Sequence, residues 1–112
     1  MALNVVYIDD EVMLSEIFHE MISSERISVK IFSDAERAIE DINSNPPDVI
    51  FLDYRLYKIT GDELAFQLPP HIPKILVTGD TLMKTKFKFD KTFQKPVNYK
   101  EIRDYLELFN PA

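Results

Sequence analysis

The run Val49–Leu52, in the stretch DVIFLD (48–53), is apolar at every position and ends on a carboxylate, Asp53. A second run, PKILVTGD (73–80), is almost wholly apolar as well. A strand with one wet face alternates apolar and polar side chains. Runs without alternation suit strands covered on both faces, as in the parallel sheets of α/β proteins. Parallel neighbours need helical crossovers between them, so these two runs constrain the fold more than any other feature.

The remainder of the chain supplies the crossovers. LNVVYIDD (3–10) is a short β-branched run closing on acids. EVMLSEIFHEMISSE (11–25) changes to a helical period, with Val12, Ile17 and Met21, together with Leu14 and Phe18, marking its apolar side. ISVKIFSD (27–34) alternates like a half-exposed strand, with Ile27, Val29 and Ile31 on one side. SDAERAIEDINSN (33–45) starts with Ser33 and Glu36 in capping-box spacing, and Ala35, Ala38, Ile39 and Ile42 form its apolar face. Asn45, Pro46 and Pro47 stop it. Past the third strand, a loop containing Gly61 leads to a short helix, GDELAFQL (61–68), ended by Pro69 and Pro70. TLMKTKFKFD (81–90) reads as one weak helical turn or an irregular loop. KTFQKPV (91–97) is a short fifth strand. NYKEIRDYLELF (98–109) is a final amphipathic helix, with Asn98 as N-cap, Glu101 completing a capping box, and Ile102, Tyr105, Leu106 and Phe109 at helical spacing. Strands alternating with helices at this spacing predict a (βα)5 parallel sheet with helices on both faces.

The length of 112 residues suits one domain, residues 1–112. The absence of cysteine excludes disulfide and thiolate chemistry and fits a reducing cytosol. No apolar stretch approaches the roughly 20 residues of a membrane span, and the N-terminus lacks the pattern of a secretory signal. A formal net charge of −6 argues against general nucleic-acid binding, which needs a basic footprint. The charge is uneven: Lys84, Lys86, Lys88, Lys91 and Lys95 face one acid, Asp90, which leaves the remainder near −10. An acidic body with a short basic strip points to protein partners or a bound cation.

Open α/β sheets bind ligands at the carboxyl ends of their strands. The residues there are Asp9, Asp10 and Glu11 after the first strand, Asp53 after the third, Thr78 after the fourth and Lys95 after the fifth. Asp9 and Asp10 also suit the first turn of the next helix, and Glu11 reads as helix-start charge. If the first and third strands are neighbours, Asp9, Asp10 and Asp53 converge. At ~4 Å and an effective dielectric of ~20, each like pair costs about 4 kcal/mol before relaxation. One acid must then be protonated, or a cation supplied. Oxygen-only ligands suit a hard ion such as Mg2+. With a nucleophile, a metal, the Lys95 cation and the Thr78 hydroxyl, the set meets the needs of phosphoryl transfer.

VVYIDDE, DVIFLDYRL with Gly61 eight residues past Asp53, ILVTGD and FQKPV together resemble the four signature blocks of a response-regulator receiver domain. The resemblance spans essentially the whole chain. It implies a flavodoxin-like, doubly wound sheet in the order 2-1-3-4-5. It implies Asp53 as phosphoacceptor, taking a phosphoryl group from phosphohistidine on a sensor histidine kinase or a histidine phosphotransfer protein and passing the signal to a downstream protein target. Asp10, Asp53 and the backbone carbonyl of Arg55 are then metal ligands for Mg2+, with Mn2+ as a substitute, and Asp9 acts through a water. Lys95 and Thr78 are the groups that meet the phosphoryl oxygens. The Lys95-Pro96 bond is expected in the cis form. Also implied are a cytoplasmic protein without membrane or direct nucleic-acid contacts, a monomer or weak dimer, and no enzymatic activity beyond its own phosphotransfer and autodephosphorylation.

Several positions depart from the family pattern. Tyr57 stands where the family carries proline, and Leu56 where methionine is frequent. Lys95 lies only 17 positions after Thr78, which predicts a shortened or irregular fourth helix. The switch aromatic is replaced by Thr92, while Phe93 is expected to point into the core, and core packing is also the expected role of Phe87 and Phe89. Arg55 and Asp80 are expected to pair over the site and slow hydrolysis of the aspartyl phosphate. These departures support an alternative reading, a phosphorylation-independent pseudo-receiver acting as a protein-interaction module. A flavin or nucleotide binder is disfavoured, because Gly61 and Gly79 are the only glycines and form no phosphate-cradling loop. A phosphohydrolase is disfavoured too, because no further acid or base lies near Asp53 in sequence.

Overall fold

The computed structural model describes residues 2–80 and 84–109. Five strands, β1 (Leu3–Ile8), β2 (Ile27–Phe32), β3 (Val49–Asp53), β4 (Lys74–Thr78) and β5 (Lys91–Gln94), form one sheet in the order β2-β1-β3-β4-β5. Every pairing is parallel. The described helices are α1 (Val12–Ile22), α2 (Ala35–Ser44), α3 (Gly61–Gln67) and α4 (Tyr99–Leu106).

The unbroken apolar runs follow from the period of two along a strand. Tyr7 of β1 and Phe51 of β3 turn to one face, where they pack with Phe18 and Ile22 of α1 and Ile102 and Leu106 of α4. Ile8 and Leu52 turn to the other, against Ala38 and Ile42 of α2 and Leu64 of α3. All five residues of β3 and of β4 are buried. The flavodoxin-like arrangement expected above is therefore the one observed.

Differences lie at helix faces and ends. Phe18 sets the rotation of α1: it is fully buried and stacks on Tyr7 with centroids 4.1 Å apart. Ile17 lies about 100° round the helix from it, so Ile17, Val12 and Met21 are exposed while Ser15 and Ile22 are buried. The expected apolar face of α1 is thus correct for Phe18 and wrong for Val12, Ile17 and Met21. The cap of α2 is Asp34, not Ser33: its extended backbone lets the carboxylate accept from the amides of Glu36 and Arg37. Asn98 caps α4 as expected, accepting from Lys100 and Glu101 amides. Among the described residues no bond from the Asn98 amide back to the Glu101 carboxylate is found, so half of that capping box forms. The helix ends at Leu106, and the amides of Leu108 and Phe109 close tighter turns onto Tyr105 and Leu106 carbonyls.

The stretch between β4 and β5 contains no helix or strand over residues 84–90, and residues 81–83 lie outside the described residues. Lys84, Lys86 and Lys88 face outward, while Phe87 and Phe89 pack against the α2–α3 core. Asp62 of α3 holds this stretch, its Oδ2 accepting the Lys86 amide at 2.6 Å. Lys74, at the start of β4, is 1% exposed although the apolar run gave no sign of a buried cation. Its Nζ donates to the carbonyls of Pro69 (2.6 Å) and Ile72 (2.9 Å) and lies over the Phe87 ring. Burial holds this ammonium below its ordinary pKa, with Asp90 opposing. Asp90 also clips the strand, its Oδ2 accepting the Lys74 amide at 2.8 Å.

Candidate functional site

The functional side chains gather at the carboxyl edge of the sheet. Asp53 is the last residue of β3, and the register Ile8↔Leu52 brings Asp9, the next residue after β1, beside it. Thr78 ends β4 beside Gln94, and Lys95 follows directly. The Lys95 amide donates to the Thr78 carbonyl at 2.8 Å, and the Lys95-Pro96 peptide is cis, as expected.

Lys95 joins the two central acids. Its Nζ lies 3.0 Å from Asp9 Oδ2 and 3.2 Å from Asp53 Oδ2. Asp9 is 0% exposed and Asp53 is also buried, whereas Asp10 is exposed. Asp53 Oδ1 accepts the Tyr54 amide at 2.8 Å, and Asp9 Oδ1 accepts the Glu11 amide at 3.0 Å. Asp9 therefore also serves the start of α1, whose N-cap residue Glu11 makes no side-chain cap bond.

Burial pushes the Asp53 carboxyl above its ordinary pKa; the Asp9 charge adds to this, and Lys95 and the Tyr54 amide only partly reverse it. Burial alone would lower the Lys95 ammonium, but its hydrogen bonds and charge interactions with Asp9 and Asp53 win and hold it above its ordinary value. Asp9, Asp10 and Asp53 each bring a carboxylate oxygen within 4.8 Å of the others. An oxygen-only donor set in which two buried carboxylates share one ammonium fits a hard divalent cation such as Mg2+.

Thr78 is buried, and its Oγ1 accepts the Asp80 amide at 3.1 Å, a bond that leaves the hydroxyl hydrogen unused. Arg55 lies in a tight loop bridged to Thr60, and its guanidinium meets Asp80 Oδ2 at 3.4 Å, the expected pairing. Thr60 caps α3, its Oγ1 accepting the Glu63 amide. Phe93 points into the core, as expected, and Thr92 is exposed.

One residue at the site escapes a reading by motif. Tyr7 is buried, and its hydroxyl donates to Asp9 Oδ2 at 2.8 Å. Burial, then the Asp9 charge and the hydrogen bond to it, push this phenol far above its ordinary pKa, so it stays protonated. The available signal was its place two residues before Asp9, on the same side of the strand.

Comparison with known proteins agrees with this geometry. The family model described as the response regulator receiver domain matches residues 5–107. No curated protein matches the chain. Among solved structures, the chain is similar to a CheY-like response-regulator receiver domain protein from Methanospirillum hungatei JF-1, with 22% identity and a TM-score of 0.86 over 96% of this chain and 93% of that one. It is also similar to a CheY-like receiver domain from Methylobacillus flagellatus, with 18% identity and a TM-score of 0.85 over 96% and 98% of the two chains. Such identities speak for the fold alone. The family match runs from β1 into the end of α4 and takes in every strand end just described, and on it this chain belongs to the response-regulator receiver domain family.

Proposed function

We propose that this domain takes a phosphoryl group from phosphohistidine onto Asp53 and signals by a change of conformation. The observation that carries this reading is the shared ammonium: two buried carboxylates on adjacent central strands meet one lysine, with a third carboxylate beside them. In the step, an Asp53 carboxylate oxygen attacks phosphorus. The O–P bond forms, the P–N bond breaks, and its electron pair goes to the imidazole nitrogen. Negative charge then grows at the end of β3, where the Lys95 ammonium already stands 3.2 Å from Asp53. Thr78 offers its hydroxyl hydrogen to the same region. Asp10, Asp53 and the Arg55 carbonyl would hold Mg2+, or Mn2+ in its place, with Asp9 acting through a water. A bound ion supplies charge neutralisation to the transferring group.

The donor class is a sensor histidine kinase or histidine phosphotransfer protein, in the cytoplasm, and the recipient of the signal is a protein. The domain catalyses only its own phosphotransfer and its own dephosphorylation. Incubation with Mg2+ and phosphoramidate should add one acid-labile phosphoryl group to the intact mass, and Asp53→Ala should abolish it. Failure of the wild-type protein to form the adduct would favour the second reading, a pseudo-receiver that binds partners without phosphate. What supports that alternative is the helix-free stretch 84–90 and the exposed Thr92.

Arg55 and Asp80 bear on the lifetime of the adduct. The Arg55 side chain is exposed and that of Asp80 partly so, and pairs near the surface stabilise a fold by roughly 0–1 kcal/mol, so their effect is sought in kinetics. Arg55→Ala should shorten the half-life of the phosphorylated protein by about two- to fivefold, read by loss of the adduct over time. An unchanged half-life would remove the pair from the mechanism.

A further inference from the structure

Both carboxylate oxygens of Asp9 accept hydrogen bonds from the protein. Oδ1 accepts the Glu11 amide at 3.0 Å. Oδ2 accepts two donors, the Tyr7 hydroxyl at 2.8 Å and Lys95 Nζ at 3.0 Å. Lys95 is also committed to Asp53 at 3.2 Å, and among the described residues it is the only cation paired with either acid. The tyrosine cannot readily swing aside. Its ring is buried, stacked on Phe18 at 4.1 Å and 12°, and Phe18 in turn meets Phe51 at 5.3 Å.

We propose that Tyr7 is a positioning residue that holds Asp9 in place when Lys95 leaves it for a phosphoryl group. The inference rests on the phosphoacceptor reading of Asp53. Formation of the O–P bond, with the P–N electron pair departing on the donor nitrogen, replaces a singly charged carboxylate by an acyl phosphate of greater negative charge. That change draws Lys95 toward the phosphoryl oxygens. A buried Asp9 Oδ2 with Lys95 as its sole donor would resist the move, because it would be stripped of every partner. The phenol removes that resistance. It is a neutral donor, so it satisfies Oδ2 without weakening the pull of the new charge on Lys95. The aromatic stack keeps it there before and after the transfer.

Tyr7→Phe keeps the ring and its stacking and deletes only the donor. Three measurements on the full chain decide the matter: adduct formation from phosphoramidate at saturating Mg2+, Mg2+ affinity by calorimetry without a phosphodonor, and metal-free melting of Tyr7→Phe, Lys95→Met and the double variant. The expected result is an uptake rate about tenfold lower, the scale of one lost hydrogen bond to a charged group, with Mg2+ affinity within about twofold of wild type. The double variant should melt lower than the sum of the single shifts predicts, because only there is Asp9 Oδ2 left with no donor. An unchanged uptake rate, equal losses in rate and Mg2+ affinity, or strictly additive melting shifts would overturn the assignment. If the wild-type protein itself takes no phosphoryl group, the reading of Asp53 fails, and the melting cycle still reports separately whether Tyr7 and Lys95 share Asp9.

Discussion

Gly61→Ala should lower the melting temperature by about 10 °C, a loss of roughly 2–3 kcal/mol, and slow any chemistry at Asp53 with it. A Cβ on Gly61 would lie 2.5 Å from the Asp53 carbonyl oxygen and 3.0 Å from the Tyr54 Cα. Both are backbone atoms of the segment that carries the acceptor, so no flexible side chain can yield. The glycine is needed for close approach, since neither glycine has a positive φ. Its amide also donates to the Tyr54 carbonyl at 2.6 Å, which pins α3 against the end of β3. Relief of the clash must move either α3 or the Asp53–Tyr54 backbone. Gly79→Ala is the control: its added Cβ meets nothing closer than Lys95 Cβ at 4.0 Å, an ordinary contact, so its melting temperature should stay near wild type. Equal melting of wild type and Gly61→Ala would show that this approach is not what holds α3.

Lys95→Met should cost about 3–5 kcal/mol at neutral pH without divalent metal, the penalty for leaving a buried charge without its partner. Two carboxylates lose their ammonium in that variant, Asp9 at 0% and Asp53 at 6% exposure. The sign of the pH dependence follows from Asp53. Its native pKa lies above the ordinary 3.8, so ionising it destabilises the fold as pH rises from 3.8 through the native value. Removal of Lys95 raises that native value further and widens the window. The gap between wild type and variant should therefore close as pH falls toward 3.8 and open above it. Lys95 itself shows the opposite limb: its raised pKa means that its stabilisation is complete below 10.5 and lost as pH rises through the native value. Mg2+ should raise the melting temperature of the variant more than that of wild type, because only the variant lacks any cation in the cluster, and a chelator should reverse the gain. A gap that does not change with pH would refute the electrostatic account.

The strands and the strand-end residues were legible because burial on both faces leaves a run without alternation, and because a chain ending such a run with an acid must answer the charge. β3 satisfies both conditions and ends on Asp53; β4 satisfies the first and ends on Thr78. The helix details were less legible. The spacing in 11–25 identifies a helix, but Ile17 and Phe18 are equally apolar, and the ring of Tyr7 selects Phe18. Ser33 and Asp34 are both good caps; the extended backbone at Asp34 aims its carboxylate at the free amides. Lys74 sits inside an apolar run, and its burial depends on the Pro69 and Ile72 carbonyls arriving from the turn before it.

By itself, the chain determined a parallel α/β sheet and the set of residues at its carboxyl edge, because periodicity and strand ends are local properties. The tertiary structure alone decided how those residues are shared. That Lys95 serves two acids at once, and that Tyr7 serves one of them, depends on the distances between neighbouring strands and on an aromatic stack across α1 and β3. Charge interactions fall off with distance and grow with burial, so the working state of Asp9 and Asp53 was set only when the fold enclosed them.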